Sequence, residues 1–435
     1  GIPFFSDTTN GSIYTHDVSG TDSTAEGNVA YGLSSLDAIT TGDYNTSIGS
    51  QALTANTTGH SNVALGQAAL LGNTEGIENV ALGKSSLLAN TTGDYNIAIG
   101  SRTNDLADTE NHNLAIGYEA MTGAVAGGEY NIAIGNYSLD ALTSGDENTV
   151  VGYNAGSAIT EGNYNVGVGS NALYDVTTGD ENTAVGYLAG SNITSGNTNT
   201  CIGEKAGLSL TTGYMNTFVG RRAGVTATEG NQNTAIGTYA MYYSTGASYY
   251  NTALGYAAGY AITSGDNLIC IGTDSGRTGS PGGNITTQNN YIMLGDENIT
   301  QCNIQVDWTV ASDERDKTNF TDLDVGLDFV NALKPYTYKW DKRSKYGDKS
   351  ADDYDLNAQT PDGTHKEDWL DIGFKAQEVE VLEKAAGYKI ADKTNLTTSL
   401  TDDGKQYGIK YNKFVPILVK AVQELSAKVK ALEDA

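Results

Sequence analysis

The hydrophobic positions of this chain recur with a nearly fixed period between residues 28 and 272. A phrase of Asn, a Thr or aliphatic residue, Ala, an aliphatic residue and Gly returns along this stretch, as in 62–66 (Asn-Val-Ala-Leu-Gly). Successive closing glycines are 17 residues apart, except for two steps of 18 that end at Gly135 and Gly255. The closing glycines stand at 32, 49, 66, 83, 100, 117, 135, 152, 169, 186, 203, 220, 237, 255 and 272. Such a period is typical of a repeat architecture in which each repeat stacks on the next.

Each repeat predicts one short strand followed by a broad polar turn. The residue before the closing glycine is Ile, Leu or Val in fourteen of fifteen repeats, with Tyr31 as the exception, and we expect it to point into the coil. In turns such as 177–180 (Thr-Thr-Gly-Asp) we expect glycine to supply a positive φ. Alanines that would let coils or neighbouring chains approach closely often stand three residues after the glycine: Ala52, Ala69, Ala120, Ala155, Ala206 and Ala258.

The Asn that opens the phrase holds one position of the repeat from Asn28 to Asn251. These amides are expected to stack into a ladder, each bonding to the next rung. At about 4.8 Å per coil, fifteen rungs extend roughly 70 Å. The sequence therefore predicts a mainly β fold class, with a repetitive parallel β-roll or β-helix shaft of 17-residue rungs over 28–272.

Two less regular segments flank this shaft. Residues 1–27 are a polar lead-in with weak strand character around Ile13. Residues 273–311 are predicted to hold a degraded last rung at 291–295 and a neck. Alternating apolar residues predict a strand in the neck: Ile304, Val306, Trp308 and Val310.

Composition changes at Ser312, where a second domain, predicted to be small and α+β, is expected to begin. Between residues 315 and 430 lie 19 of the 25 Lys and Arg residues. A helix is predicted at its end, with a coiled coil at about 415–433. The a/d positions of that coiled coil alternate steps of four and three: Leu418, Val422, Leu425, Val429 and Leu432. An amphipathic core helix is the alternative, because two heptads are a short pattern.

Charge and hydropathy narrow the classes of partner. The formal net charge of −27 argues against nucleic acid or an anionic membrane surface as a partner. No apolar run approaches the roughly 20 residues of a transmembrane helix, so membrane insertion is not expected. The chain begins with Gly1 rather than Met, as expected of a fragment or a processed product.

No cofactor or metal is expected. The four histidines are scattered, without the Cys and His spacing of a zinc site. Cys201 and Cys270 share one position four repeats apart, too far for a disulfide at about 4.8 Å per rung, which indicates small-residue packing. Carboxylates that recur in one turn position predict turn bonding, with calcium between rungs as the open alternative: Asp43, Asp94, Asp146, Asp180 and Asp266.

The shaft phrase resembles the head repeats of trimeric autotransporter adhesins, whose Asn-Ser-Val-Ala-Ile-Gly motif builds a left-handed parallel β-roll of three chains. That resemblance implies the handedness and a homotrimer. Those heads have a shorter repeat than 17 residues, so the turn of each rung here must be larger.

The segment 312–320 (Ser-Asp-Glu-Arg-Asp-Lys-Thr-Asn-Phe) resembles the entry to the endosialidase-type C-terminal intramolecular chaperone of phage tail spikes and fibres, a self-cleaving domain. Further motifs follow in that family's order at 333–338, 373–379 and 407–411. Lys375 departs from the family, which more often has an apolar residue there, and this departure is expected to affect packing more than cleavage.

The resemblance implies a single-turnover serine endopeptidase with Ser312 as nucleophile and Lys317 as base, cutting between Ala311 and Ser312. A lysine serves as a base when burial lowers its pKa, so this dyad is chemically plausible. The alternative is that Ser312 and Asp313 cap a helix while Lys317 is a solvated surface charge.

Together these features predict a homotrimeric virion tail fibre, assembled in the host cytoplasm, whose C-terminal domain templates the trimer and then removes itself. The expected partners are other tail or baseplate proteins and a carbohydrate or protein receptor on the host. A bacterial trimeric surface adhesin is the main alternative, although the sequence after Leu432 predicts no membrane anchor. A tailspike glycosidase is less favoured, because the unbroken 17-residue repeat leaves no room for a catalytic insertion.

Tyrosines that precede the ladder Asn are expected to pack between chains, with sugar stacking as the alternative: Tyr44, Tyr95, Tyr130 and Tyr164.

Overall fold

The computed structural model describes residues 5–7, 11–15, 24–124, 126–305, 309–349 and 353–435. The chain forms two compact units. The first comprises Gly1–Ser275 and Thr286–Ile292, and the second comprises Gly276–Ile285 and Met293–Ala435.

Eighteen three-residue strands, β1 to β18, form one sheet along the repeat region. From β2 to β17 each strand pairs in parallel with the next, as where Val63 lies opposite Val80 one repeat on. This confirms the parallel stack of 17-residue rungs. The strands are β1 (Phe5–Asp7), β2 (Ser12–Tyr14), β3 (Val29–Tyr31), β4 (Thr46–Ile48), β5 (Val63–Leu65), β6 (Val80–Leu82), β7 (Ile97–Ile99), β8 (Leu114–Ile116), β9 (Ile132–Ile134), β10 (Thr149–Val151), β11 (Val166–Val168), β12 (Thr183–Val185), β13 (Thr200–Ile202), β14 (Thr217–Val219), β15 (Thr234–Ile236), β16 (Thr252–Leu254), β17 (Ile269–Ile271) and β18 (Ile292–Leu294).

Both ends of the repeat region add detail to the prediction. The weak strand signal around Ile13 is confirmed as β2, which pairs antiparallel with β1, a pairing that the sequence did not predict. The degraded last rung is confirmed as β18. In the predicted neck strand, residues 306–308 lie outside the described residues, and the described residues on either side, 303–305 and 309–310, are not in a strand.

The orientation predicted for the strand side chains was wrong. In β5 the buried residue is Ala64, whereas Leu65, directly before the closing glycine, is 49% exposed. Asn62, two residues before Ala64, is also buried. Because successive side chains of a strand point to opposite faces, Val63 and Leu65 must both face outward. The coil interior takes Asn62 and Ala64 from the strand and larger residues such as Leu53 and Leu70 from the segments after the closing glycines. The aliphatic residues of the strands form an outer stripe along the stack.

The asparagine ladder is confirmed. Asn148 donates from its backbone N–H to Asn131 Oδ1 (3.0 Å) and from Nδ2 to Gly162 O (2.8 Å). Its own Oδ1 accepts the backbone N–H of Asn165 at 3.0 Å. The ladder Asn side chains are buried, so each amide satisfies backbone groups that water cannot reach.

The turns differ from the prediction in where positive φ occurs. The closing glycines have positive φ (144° at Gly66), whereas the turn glycine Gly179 does not. Gly179 is required for a different reason, since a Cβ there would lie 2.5 Å from Gly196 O in the next rung. The Asp of the turn bonds to backbone, but in the preceding rung and not in its own turn as predicted, because Asp180 Oδ1 accepts the N–H of Asn163 at 2.8 Å.

The second unit is a small α+β fold, as predicted. Its elements are α1 (Leu327–Ala332), β19 (Tyr336–Tyr338), β20 (Asp371–Gly373), α2 (Ala376–Ala385), β21 (Thr398–Leu400), β22 (Tyr407–Ile409) and α3 (Phe414–Glu433). Strands β19 and β20 form one antiparallel pair and β21 and β22 another. The core consists of Val325, Phe329, Val379, Phe414 and Ile417.

Helix α3 confirms the predicted terminal helix and resolves the face that it buries. Its buried residues are Phe414, Ile417 and Ala421. The five a/d residues of the predicted coiled coil are between 45% and 78% exposed, so they are not the core of this chain. The coiled coil itself stays a prediction. None of the helices in the described ranges is long and apolar enough to cross a membrane.

Candidate functional site

A short capped turn shapes the segment that begins at Ser312. The 3₁₀ helix Glu314–Asp316 has Asp313 as its N-cap, whose Oδ1 accepts the backbone N–H of Arg315 at 2.9 Å. The turn closes where Lys317 N–H donates to Glu314 O at 3.1 Å. Reversing the chain in this way brings the side chain at 317 back towards Ser312.

The structure brings the two predicted site residues into contact. Lys317 Nζ lies 2.5 Å from Ser312 Oγ and 3.2 Å from Ser312 O. A serine hydroxyl within hydrogen-bond reach of an amine is the arrangement that nucleophilic activation requires. Ala311, on the other side of the predicted scissile bond, is exposed.

The Ser312–Lys317 pair is exposed to solvent, unlike a complete active site. Every residue of 311–320 is exposed, including Lys317. A lysine acts as a base when it is desolvated in an apolar pocket. The burial that such a base requires is therefore not provided by the described residues of a single chain.

The helix-cap alternative is correct in two respects, since Asp313 is a cap and Lys317 is exposed. Asp313 caps the turn and also pairs with Arg315, whose Nη2 lies 2.6 Å from Asp313 Oδ2. These hydrogen bonds from the Arg315 side chain and backbone hold the pKa of Asp313 below its ordinary value. Since Asp313, and not Ser312, is the cap, capping and the Ser312–Lys317 contact coexist.

Lys375, the departure from the family pattern, is accommodated on the surface of α2. Its Nζ lies 3.1 Å from Glu378 Oε1 and 4.4 Å from the ring centroid of Tyr336. Tyr336 in turn donates from its hydroxyl to Glu378 Oε2 at 2.9 Å. Lys375 therefore contacts side chains of β19 and α2, and its expected effect on packing stays a prediction.

Glu383 is a buried carboxylate that the sequence did not single out. Its Oε1 accepts the backbone N–H of Thr397 at 2.6 Å, and both carboxylate oxygens accept threonine hydroxyls, from Thr397 and Thr398. Burial raises its pKa, but the hydrogen bonds from Thr398 and Thr397 outweigh burial and lower it below the ordinary value. A Glu on a helix usually indicates a solvated face, so no sequence signal marked this one.

The remaining candidates behave as structural groups. Burial raises the pKa of Cys201 to about 12 and that of Cys270 to about 11, which fits their predicted role in packing. Among the described residues, no three His, Cys, Asp or Glu side chains are grouped so that they could hold a metal ion. Tyr95 and Tyr130 stack on opposite faces of His112 with ring centroids 4.9 Å apart on each side.

Comparison with known families identifies the C-terminal part. Residues 312–388 match the family model described as chaperone of endosialidase. The match begins at Ser312, the predicted nucleophile, and includes β19, β20 and α2. Neither a curated protein nor a solved structure matched the chain. A domain of this family behind a shaft of stacked rungs fits a tail fibre with an endosialidase-type chaperone.

Proposed function

We propose that this chain is a homotrimeric virion tail fibre protein whose C-terminal domain templates the trimer and then cleaves itself off between Ala311 and Ser312. The strongest support for this proposal is the coincidence of the family match with the Ser312–Lys317 contact. The match to the chaperone family begins at Ser312, and the Oγ of that serine lies 2.5 Å from Lys317 Nζ.

The reaction needs only groups of this chain and one water. Ser312 Oγ attacks the carbonyl carbon of Ala311 while Lys317 Nζ, in its neutral form, accepts the hydroxyl proton. The C–N bond breaks as the amino group of Ser312 takes a proton, which leaves an ester between Ala311 and Ser312 Oγ. Water hydrolyses the ester to the carboxylate of Ala311 and restores the serine hydroxyl.

Assembly supplies the burial that the isolated site lacks. Large exposed apolar patches mark surfaces that another protein covers. Two such surfaces run along this chain: the outer aliphatic stripe of the rungs, exemplified by Leu65 (49% exposed) and Leu254 (45%), and the a/d seam of α3. Three chains that cover both surfaces would exclude water from the neck, so we expect the cut to follow trimer formation.

The test is a denaturing gel of the expressed chain. We expect a fragment of 124 residues, from Ser312 to Ala435, that is absent from Ser312→Ala and reduced at least 100-fold in rate in Lys317→Met. Thr318→Ala removes an exposed hydroxyl from the same segment and should cleave normally. Continued cleavage of the Ser312→Ala protein would exclude this nucleophile.

The shaft phrase by itself also favours a bacterial trimeric surface adhesin, which therefore stands as the second candidate. Cleavage discriminates between the two, since the adhesin function requires no loss of 312–435. A virion location and a host-surface receptor, whether carbohydrate or protein, belong to the first proposal.

A further inference from the structure

The proposed cut does not fall between the two compact units. The second unit contains Met293–Ala435 together with Gly276–Ile285, whereas the cut lies between Ala311 and Ser312. Some residues that pack with the chaperone would therefore stay covalently attached to the shaft fragment after cleavage. Contacts across the cut decide whether the two fragments separate.

Three lysines of the chaperone bind Glu297 and Asn298, two residues that precede the cut. Glu297 is 8% exposed, and its Oε1 forms an ion pair with Lys349 Nζ. Lys342 Nζ donates to Glu297 O at 2.8 Å, and Lys345 Nζ donates to Asn298 Oδ1. We call these five residues the lysine clasp.

Close backbone packing accompanies the clasp. A Cβ on Gly279 would lie 2.8 Å from Ser344 Cβ, and a Cβ on Gly283 would lie 3.1 Å from Thr401 Cβ. The loop Gly276–Ile285 therefore packs against the chaperone without room for larger residues. It too stays with the shaft fragment after the cut.

We propose that the lysine clasp retains the chaperone on the shaft fragment after cleavage, so that release is a separate, salt-sensitive step. The inference rests on the proposed function for the cut itself. Glu297 is buried and the Lys349 side chain is 33% exposed. The pair slows dissociation, because separation leaves a buried carboxylate without its partner, and its exposed ammonium remains open to screening. Salt weakens the pair by screening.

Because both fragments carry a net negative charge, the salt dependence of their separation distinguishes local ion pairs from overall repulsion. Residues 312–435 carry 19 Lys and Arg against 24 Asp and Glu, a net charge of −5, and the remainder of the −27 lies before Ser312. The fragments therefore repel each other overall, and repulsion alone would drive them apart most strongly at low salt. Retention at low salt would have to come from local contacts, and its loss at high salt would identify the charge pairs of the clasp among them.

The experiment follows the cleaved full-length protein by size-exclusion chromatography in about 20 mM and about 1 M NaCl, ionic strengths at which charges interact strongly and weakly. We expect the fragments, separate on a denaturing gel, to co-elute at low salt and to separate at high salt. Lys349→Met should speed dissociation by about 30-fold or more at low salt, and Lys345→Met by less. The control is Lys366→Met, which removes an exposed lysine outside the clasp with the same change of charge.

A second cut makes the result independent of self-cleavage. A recognition sequence for a site-specific protease is inserted after Ala311 in the Ser312→Ala chain, and the purified protein is cut with that protease. Co-elution at low salt that Lys349→Met abolishes supports the clasp even if the native chain never cleaves itself. Fragments that separate at once at low salt, or a Lys349→Met protein that behaves like the Lys366→Met protein, would overturn it.

Discussion

The hydrogen bonds inside the shaft and those inside the C-terminal domain span different distances along the sequence. In the shaft, ladder bonds such as Asn165 N–H to Asn148 Oδ1 join residues 17 apart. In the C-terminal domain, Leu327 N–H donates to Glu424 Oε2 at 2.7 Å across 97 residues. Each rung therefore bonds to a neighbour that is nearly identical to every other rung. The domain instead has long-range contacts that are not repeated.

This difference explains why a repetitive shaft benefits from a unique domain behind it. A stack of near-identical rungs has little in its own bonding to fix the register between chains, because a shift by one repeat restores most contacts. A domain with unique long-range contacts and an exposed helix seam can fix that register. We therefore expect the shaft to depend on the domain for assembly but not for the bonding within a rung.

Removal of the domain should have the largest effect. A chain that ends at Ala311 should be insoluble or monomeric when expressed, because no unique contact sets the register of the three shafts. Sedimentation of the soluble fraction measures this outcome. A soluble homotrimer from the truncated chain would show that the shaft aligns itself.

A charge in the α3 seam should disrupt the proposed trimer while leaving the fold of the domain intact. Val422 is 65% exposed and lies at an a position, so Val422→Glu would bury three carboxylates together in a coiled coil. Sedimentation should then show monomers. Ala427→Glu, on the outer face of the same helix, should remain trimeric, and equal behaviour of both variants would argue against the coiled coil.

A ladder substitution tests whether bonding within the shaft is local. Asn148→Ala leaves the buried backbone N–H of Asn165 without its acceptor, which should lower the free energy of unfolding by about 1–3 kcal/mol. Asn192→Ala changes an exposed amide in the shaft and should have little effect. Denaturant unfolding measures both, and an equal loss in the two variants would contradict the ladder's role.

Glu383 provides the matching test inside the domain and has a defined pH dependence. Its folded-state pKa is lowered, so its stabilisation is present above about pH 5 and is lost as the pH falls through that lowered pKa. Glu383→Gln should cost about 1–3 kcal/mol at neutral pH and lose this acid dependence. The exposed Glu433→Gln is the control, and an unchanged pH profile in Glu383→Gln would contradict the assignment.

The sequence was sufficient for features that repeat or that lie close along the chain. A period of 17 residues located β3 to β17, because each strand has the same local environment as the next. One Asn per repeat predicted the ladder for the same reason. The spacing of five between Ser312 and Lys317 is short enough for a single turn to bring them together.

Only the tertiary structure decided which side of each strand is inside. Alternation defines two faces, and hydrophobicity alone favoured Leu65 over Ala64 for the interior. The folded coil reverses that choice, because buried Leu53 and Leu70 from the segments after the closing glycines share the interior with Ala64 and Asn62, while Leu65 lies outside. The lysine clasp is of the same kind: Lys342 and Glu297 are 45 residues apart, and no period or motif relates them. Patterns along a chain encode local repetition, whereas the volume inside the coil and meetings between distant residues exist only once the chain has folded.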